Sequence, residues 1–197
     1  AIMKRIIDII GSLVGIVITI PIFLIVGISI KVTDGGPVIY QQTRLTKNGK
    51  KFQIYKFRPL VKNAEADGKA SLASEDDPRI LPIGRLLRAT RLDELPQIYN
   101  ILKGDMSIVG PRPERPELAA ELEKEIPEFS FRLQVKAGLT GYAQVYGKYN
   151  TTPYDKLKLD LTYIRNYSVL EDLKLIIMTP KIMLMKESTE GVKEEQQ

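Results

Sequence analysis

A chain of 197 residues with 44% hydrophobic side chains can fill the core of one domain. It has no Cys and no His, which excludes disulfides, thiolate chemistry, Ser-His and Cys-His catalysis and His-ligated zinc, and leaves carboxylates, Lys, Arg, Tyr, Ser and Thr for any chemistry. Its 29 basic residues against 24 acidic ones give a net charge of +5, which suits anionic partners such as membrane lipid, nucleotide or nucleic acid.

Residues 9–30 carry no charged side chain and form the one stretch apolar enough to enter a bilayer. At about 1.5 Å per residue it just crosses a hydrocarbon layer of roughly 30 Å. No small-residue cleavage pattern follows, so it does not read as a signal peptide. Pro21 must bend or break a helix here, and Thr19 is placed to satisfy a freed backbone group. Lys4 and Arg5 precede the stretch, while Lys31, Arg44, Lys47, Lys50 and Lys51 follow it. Positive charge on both flanks asks for both ends on the cytoplasmic side, as in a re-entrant helix broken at Pro21. An ordinary kinked spanning helix is the alternative.

Asp34-Gly35-Gly36-Pro37 is a turn signal, after which residues 38–45 and 51–57 flank Asn48-Gly49 as a β-hairpin. Lys56 and Arg58 fall at its end, as exposed charges or as phosphate ligands. Residues 61–80 are polar and read as loop, including Asp67-Gly68 and Glu75-Asp76-Asp77-Pro78. A short helix over 82–89 then puts Arg85 and Arg88 on one side.

Asp93 and Glu94 follow Arg88 and Arg91 and precede the Gly110-Pro111-Arg112-Pro113 corner, an acid pair in a basic frame. Leu95, Ile98, Tyr99 and Leu102 share one face of a helix over 94–102. Pro96 is tolerated in a first turn, which favours Asp93 as N-cap; alternatively Thr90 caps and Pro96 bends the helix. Either way the positive surroundings favour an ionised Asp93, which suits a nucleophile or a Mg²⁺ ligand. The plainer alternative is a cap beside a solvated acid. The run GPRPERP presents Arg112 and Arg115 from a stiff segment, suited to phosphate or to a rigid connector.

Residues 114–128 read as an amphipathic scaffold helix. Residues 135–148 place three glycines, Gly138, Gly141 and Gly147, among small and polar residues, which allows close approach of backbone to a ligand but matches neither a Walker loop nor a dinucleotide fingerprint. Helices are expected over 154–167 and 170–186. The second carries Leu173, Ile176, Ile177, Met183 and Leu184 with Lys174, Lys181 and Lys186, is interrupted at Pro180, and suits either a bilayer surface or a core. The tail 187–197 is polar enough for disorder. A chain that opens on Ala1 reads as trimmed.

The run RLDELPQIYNILKGDMSIVGPRP resembles the catalytic core of the bacterial sugar transferase family, the monotopic polyprenyl-phosphate phosphoglycosyl transferases, and the likeness extends from about Lys4 to about Lys186. The resemblance implies a mixed α/β, mainly helical fold. It would comprise a re-entrant helix over 1–33 broken at Pro21, a cytoplasmic catalytic domain over 34–186 with a small hairpin and interfacial amphipathic helices, and the tail. The family usually has Ser before that Pro, where this chain has Ile20. Its KFR stretch lies by the active site, which implicates Lys56 and Arg58, although Pro59-Leu60 replaces the usual hydroxyl residue and Met. Arg88 matches a position associated with the phosphate-bearing substrate. The stretch after Gly138 is similar to the family's GxTGWAQ, with Tyr142 for Trp and Lys148 where Arg is frequent, so Gly141 and Gln144 join Pro111 and Pro113 as donor-site loops.

The implied reaction moves a sugar 1-phosphate from a UDP-sugar to polyprenyl (undecaprenyl) phosphate at the cytoplasmic face of the bacterial inner membrane, releasing UMP. Asp93 would be the nucleophile, Asp93 and Glu94 would hold Mg²⁺, and Arg112 with Arg88 and Lys148 would hold phosphate. Membrane lipid is an expected partner and nucleic acid is not. Two rival classes are a membrane-tethered basic binding protein for acidic lipid or nucleic acid, and a Mg²⁺-dependent membrane phosphohydrolase.

Overall fold

The computed structural model describes residues 2–62, 77–148 and 150–183. The expected loop around Asp67-Gly68 and Glu75-Asp76, the helix end at Leu184 and Lys186, and the tail lie outside them. The chain is mixed α/β and mainly helical.

Helix α1 runs from Ile2 to Asp34 with Pro21 inside it, so Pro21 does not divide it into two elements. Asp8, Ser12, Thr19, Val26 and Ile30 are buried at spacings of four and seven, one stripe along the helix. The opposite face leaves Ile10, Leu13, Val17, Leu24 and Ile28 exposed, a long apolar surface. The expected role of Thr19 is corrected. Pro21 frees the Val17 carbonyl, but the Thr19 hydroxyl donates to Gly15 O at 2.7 Å, one turn back.

The charged residues of the first turns are not solvated flanking charges either. Lys4 Nζ reaches Asp172 Oδ2 at 2.6 Å and the Tyr163 hydroxyl at 2.9 Å. Arg5 donates to Ile101 O and Leu102 O at 2.7 and 2.6 Å. Asp8 accepts from the Ser107 hydroxyl and from Ile108 N. At the far end Asp34 is held by Arg58, while Val26 and Ile30 pack with Phe57, Leu81 and Leu87. One domain therefore grips both ends of a helix about 50 Å long.

Strands β1 (Ile39–Leu45) and β2 (Lys51–Phe57) pair antiparallel with Ile39 opposite Phe57 and Leu45 opposite Lys51. Asn48 and Gly49 take φ of 59° and 71° in the connecting 3-10 turn, which Asn and Gly tolerate best. Buried Asn100 serves the outer edge of β2 as a short strand would: its Nδ2 donates to Gln53 O at 2.7 Å and its Oδ1 accepts from Tyr55 N at 3.0 Å.

Helix α2 (Pro82–Thr90) ends where Arg91 adopts left-handed φ 56°, ψ 17°. A 3-10 turn, Leu92–Glu94, then precedes α3 (Gln97–Lys103). Neither proposed cap is used. Asp93 lies inside the 3-10 turn, Pro96 takes the cap position of α3, and the Thr90 hydroxyl bonds back to Leu86 O at 2.7 Å. The left-handed residue makes the difference, because it turns the chain before Asp93 and postpones the helix to Gln97.

Beyond it, β3 (Ser107–Val109) and β4 (Gly138–Thr140) form a parallel pair that the sequence did not announce. Helix α4 (Pro116–Glu125) leads into a 3-10 segment, Pro127–Gln134. Short α5 (Tyr142–Tyr146) occupies part of the glycine-rich stretch, and α6 (Pro153–Arg165) is capped by the Thr152 side chain. Helix α7 (Val169–Met183) runs through Pro180 rather than stopping there. It buries Asp172 and Leu175 and exposes Leu170 and Ile177, so it is both core and surface.

Candidate active site

A cleft of about 910 Å³ opens between α2, the Asp93-Glu94 turn, the Arg112 corner and helices α4 to α6. Glu94 is buried at its centre, and its Oε1 accepts from Lys56 Nζ at 3.1 Å and from Arg112 Nη2 at 2.6 Å. Burial alone would raise this carboxyl, but Arg112 and Lys56 outweigh it and hold it well below the usual carboxylate range. Glu94 in turn, ahead of the opposing cost of burial, raises the Arg112 guanidinium above its ordinary value.

Asp93 is different. Among the described residues it takes part in no ion pair. Burial pushes its carboxyl up to about 6, Lys56 and Arg112 pull it down, and the charge of Glu94 adds to the rise. The positive surroundings thus lose to desolvation, contrary to the simple expectation of a depressed value. Near neutral pH the group is still largely anionic, and it is basic enough to attack an electrophile.

The cleft brings together Lys56, Arg88, Asp93, Glu94, Arg112, Gln144 and Lys148 of the residues singled out in sequence. Arg58, Pro111, Pro113 and Gly141, also assigned to the site, lie elsewhere. Arg58 turns away and donates to Asp34 Oδ2, Pro37 O and Leu60 O, each at 2.7 Å, tying the end of the hairpin to α1. Pro111 and Pro113 are buried behind the cleft wall. Gly141 abuts Gly110: a Cβ added to it would stand 2.3 Å from Gly110 O.

Gly138 is more tightly placed still, because a Cβ there would stand 2.0 Å from Gly110 N. Gly110 N donates to Thr140 O at 2.8 Å, and Gly138 N to Pro111 O at 2.9 Å. These two glycines therefore serve the approach of one chain segment to another, not of backbone to ligand, and that approach fixes the corner that carries Arg112. Arg132, which sequence reasoning missed, is buried between Asp160 Oδ2 at 2.8 Å and Arg112 O at 2.8 Å. It braces the same corner from behind.

No group of three or more acidic residues that could hold a metal occurs among the described residues. Mg²⁺ needs fewer, since it commonly keeps several waters and takes one or two carboxylates plus substrate phosphates. The unpaired Asp93 with adjacent Glu94 meets that smaller demand.

The family described as bacterial sugar transferase matches residues 1–186. This chain belongs to the bacterial sugar transferase family. It is similar to the galactosyl transferase CpsE of Streptococcus agalactiae serotype III (strain NEM316), 42% identical over 197 residues, or 93% of this chain and 42% of that protein. It is also similar to an Aeromonas hydrophila protein named UDP-N-acetylgalactosamine-undecaprenyl-phosphate N-acetylgalactosaminephosphotransferase, at 37% identity over 93% of this chain and 44% of that protein. A third relative, the UDP-glucose:undecaprenyl-phosphate glucose-1-phosphate transferase of Caulobacter vibrioides (strain ATCC 19089 / CIP 103742 / CB 15), is 36% identical over 92% of this chain and 69% of that protein. The chain thus spans less than half the length of the first two. The Asp93-Glu94 turn and the Arg112 corner of this chain both fall within the matched residues.

Proposed function

We propose that this protein moves a sugar 1-phosphate from a UDP-sugar to polyprenyl phosphate, in the sense stated by the names of its Aeromonas and Caulobacter relatives. The observation that carries the reading is an unpaired, partly buried Asp93 beside a Glu94 locked between Lys56 and Arg112, within a basic cleft. An Asp93 oxygen attacks the sugar-bearing phosphorus, and the bond to the UMP oxygen breaks with its electron pair leaving on UMP. An oxygen of the acceptor phosphate then attacks the same phosphorus, displaces Asp93 and forms the lipid diphosphate. Arg112, Lys56, Arg88 and Lys148 hold phosphate oxygens as charge develops, the main electrostatic task in phosphoryl transfer. Asp93 and Glu94 would hold Mg²⁺, which when bound neutralises diphosphate charge.

Helix α1 supports a membrane site for this chemistry. Arg5 and Asp34 lie about 40 Å apart along the helix, and both are fastened to the catalytic domain. A helix crossing the bilayer would carry one of those ends away from the domain. We infer that α1 enters and leaves the cytoplasmic leaflet of the inner membrane from one side, bending at Pro21, with its apolar face in lipid.

Donor alone tests the covalent step. UMP should appear in an amount bounded by the enzyme present, label in the sugar phosphate should stay on a peptide containing Asp93, and polyprenyl phosphate should discharge it. Asp93→Asn should abolish the burst and turnover. UMP released only when both substrates are present, with no label ever trapped, would remove Asp93 as nucleophile. Free sugar phosphate formed without acceptor would indicate a hydrolase, and salt-sensitive binding without UMP a binding protein.

A further inference from the structure

The two ends of the cleft differ in kind. At one end Arg85 and Arg88 project from α2, whose Ile83 and Leu87 pack against Phe23, Val26 and Ile30 of the membrane helix. At the other, α4, the 3-10 segment and α6 build a separate cluster of Ala119, Phe129 and Leu157 with Leu122, Ile126 and Leu161, in which α1 takes no part. Leu118 and Leu122, one turn apart on α4, line the cleft there together with Phe129. Leu118 is 41% exposed, an apolar side chain open to the cleft.

Glu114 lies between Arg112 and these leucines in the chain. It also lines the cleft, and among the described residues its carboxylate makes one ion pair, a long 3.7 Å contact to Arg132, whose Nε and Nη2 are engaged by Asp160 and Arg112 O. In chain order, this wall of the cleft thus offers a guanidinium, a carboxylate and an aliphatic ledge: Arg112, Glu114, Leu118, Leu122. A nucleotide has the matching order: phosphate, vicinal hydroxyls that donate to a carboxylate, and a flat base that gains by covering apolar surface.

We propose that this end of the cleft is the nucleoside subsite, with Glu114 accepting from the ribose hydroxyls and Leu118 and Leu122 covering one face of the base. The assignment rests on the transferase reading above and makes α4 a specificity element rather than scaffold. It also separates the routes of the two substrates. A double displacement at one phosphorus requires the leaving UMP oxygen and the incoming lipid phosphate oxygen to stand in turn opposite Asp93. They share that place, so the nucleoside must extend toward α4 and the lipid tail must arrive past α2, from the side of α1.

Product inhibition of the intact membrane enzyme tests this, with UMP and 2′-deoxy-UMP as probes. Leu118→Asn alters an exposed position and should raise both the donor KM and the UMP inhibition constant about tenfold, leaving kcat and the polyprenyl phosphate KM unchanged. The wild type should prefer UMP to 2′-deoxy-UMP several-fold, and Glu114→Ala should bring that ratio to about one. A merely structural loss at Glu114 would weaken both nucleotides and the acceptor alike, and so would overturn its assignment. An unchanged UMP constant in Leu118→Asn, or a raised acceptor KM in its place, would overturn the subsite and give this end of the cleft to the lipid. Equilibrium binding of UMP to wild type and to Leu118→Asn reads the subsite independently of turnover. If tenfold weaker UMP binding in the variant accompanies a wild type that releases no UMP from UDP-sugars, the subsite stands and the transferase reading falls.

Discussion

Arg112 and Glu94 meet at 2.6 Å from segments 18 residues apart, and Lys56 joins them on the same carboxylate oxygen from the end of the hairpin. Three separate pieces of the fold are thereby fixed to one another beside Asp93. Glu94→Gln leaves two cations facing a neutral amide. Because Arg112 is 45% exposed and partly screened, the expected loss is about 1–3 kcal/mol, below that of a fully buried pair, and is read as a lower Tm at neutral pH. Since the folded value of Glu94 is depressed, its contribution is present above the ordinary 4.5 and is lost as pH falls through the folded value.

Asp93 has the opposite sign. Its folded value is raised from 3.8 to about 6, so its contribution to stability is present below 3.8 and is lost as pH rises through about 6. In chelator and without substrate, Asp93→Asn should therefore be more stable than wild type at pH 7.5, by about 1–3 kcal/mol, with the difference vanishing near pH 4. Thermal unfolding at the two pH values measures it. UMP release by the wild type from donor alone should fall as pH drops below about 6, as the nucleophile is protonated.

Arg58 and Arg112 should separate cleanly. Arg58→Ala removes the clamp on Asp34 and should lower stability by about 2 kcal/mol or more while leaving the donor KM unchanged. Arg112→Lys keeps charge but loses the fork, so kcat/KM for the donor should fall about tenfold or more. Melting curves and steady-state kinetics on the two variants decide the matter.

Gly138→Ala forces a Cβ to within 2.0 Å of Gly110 N, which has no flexible side chain to move. Overpacking of this kind costs about 1–3 kcal/mol or more, and here the backbone that yields is the one carrying Arg112. Loss of activity should exceed loss of fold, as read by donor turnover against circular dichroism.

The native chain has no Cys, so single cysteines at Ile2 and Lys47 are unambiguous labels. Both should be shielded from an impermeant reagent applied outside intact cells, and labelling of one alone would establish a spanning helix. Pro21→Ala restores a mid-helix hydrogen bond and should shift part of the population toward spanning.

The hairpin was legible to within one residue because Asn48-Gly49 sets both turn and register. Asp93, Glu94 and Arg112 fall inside one long motif, whereas Lys56 and Arg88 lie outside it and meet them only in the folded cleft. Arg58 was misread for a local reason: β2 ends at Phe57, so Arg58 no longer shares a strand face with Lys56 and swings to Asp34. Strands β3 and β4, three residues each, are too short for alternation to show. Arg132 with Asp160 and Asp8 with Ser107 pair over 28 and 99 positions, and no periodicity carries such information.

The inward-pointing charges of α1 impose a timetable on synthesis. Arg5 and Asp8 find their partners 96 to 100 residues later, and Lys4 waits 168 residues for Asp172. At about 5–20 residues per second, that is on the order of 10–30 s during which the apolar helix already exists and its anchoring groups are unmatched. On the membrane placement proposed for α1, immersion in lipid precedes closure of the catalytic domain. On the same placement, a nascent chain halted before residue 172 would hold α1 at the membrane with Lys4 still lacking its carboxylate.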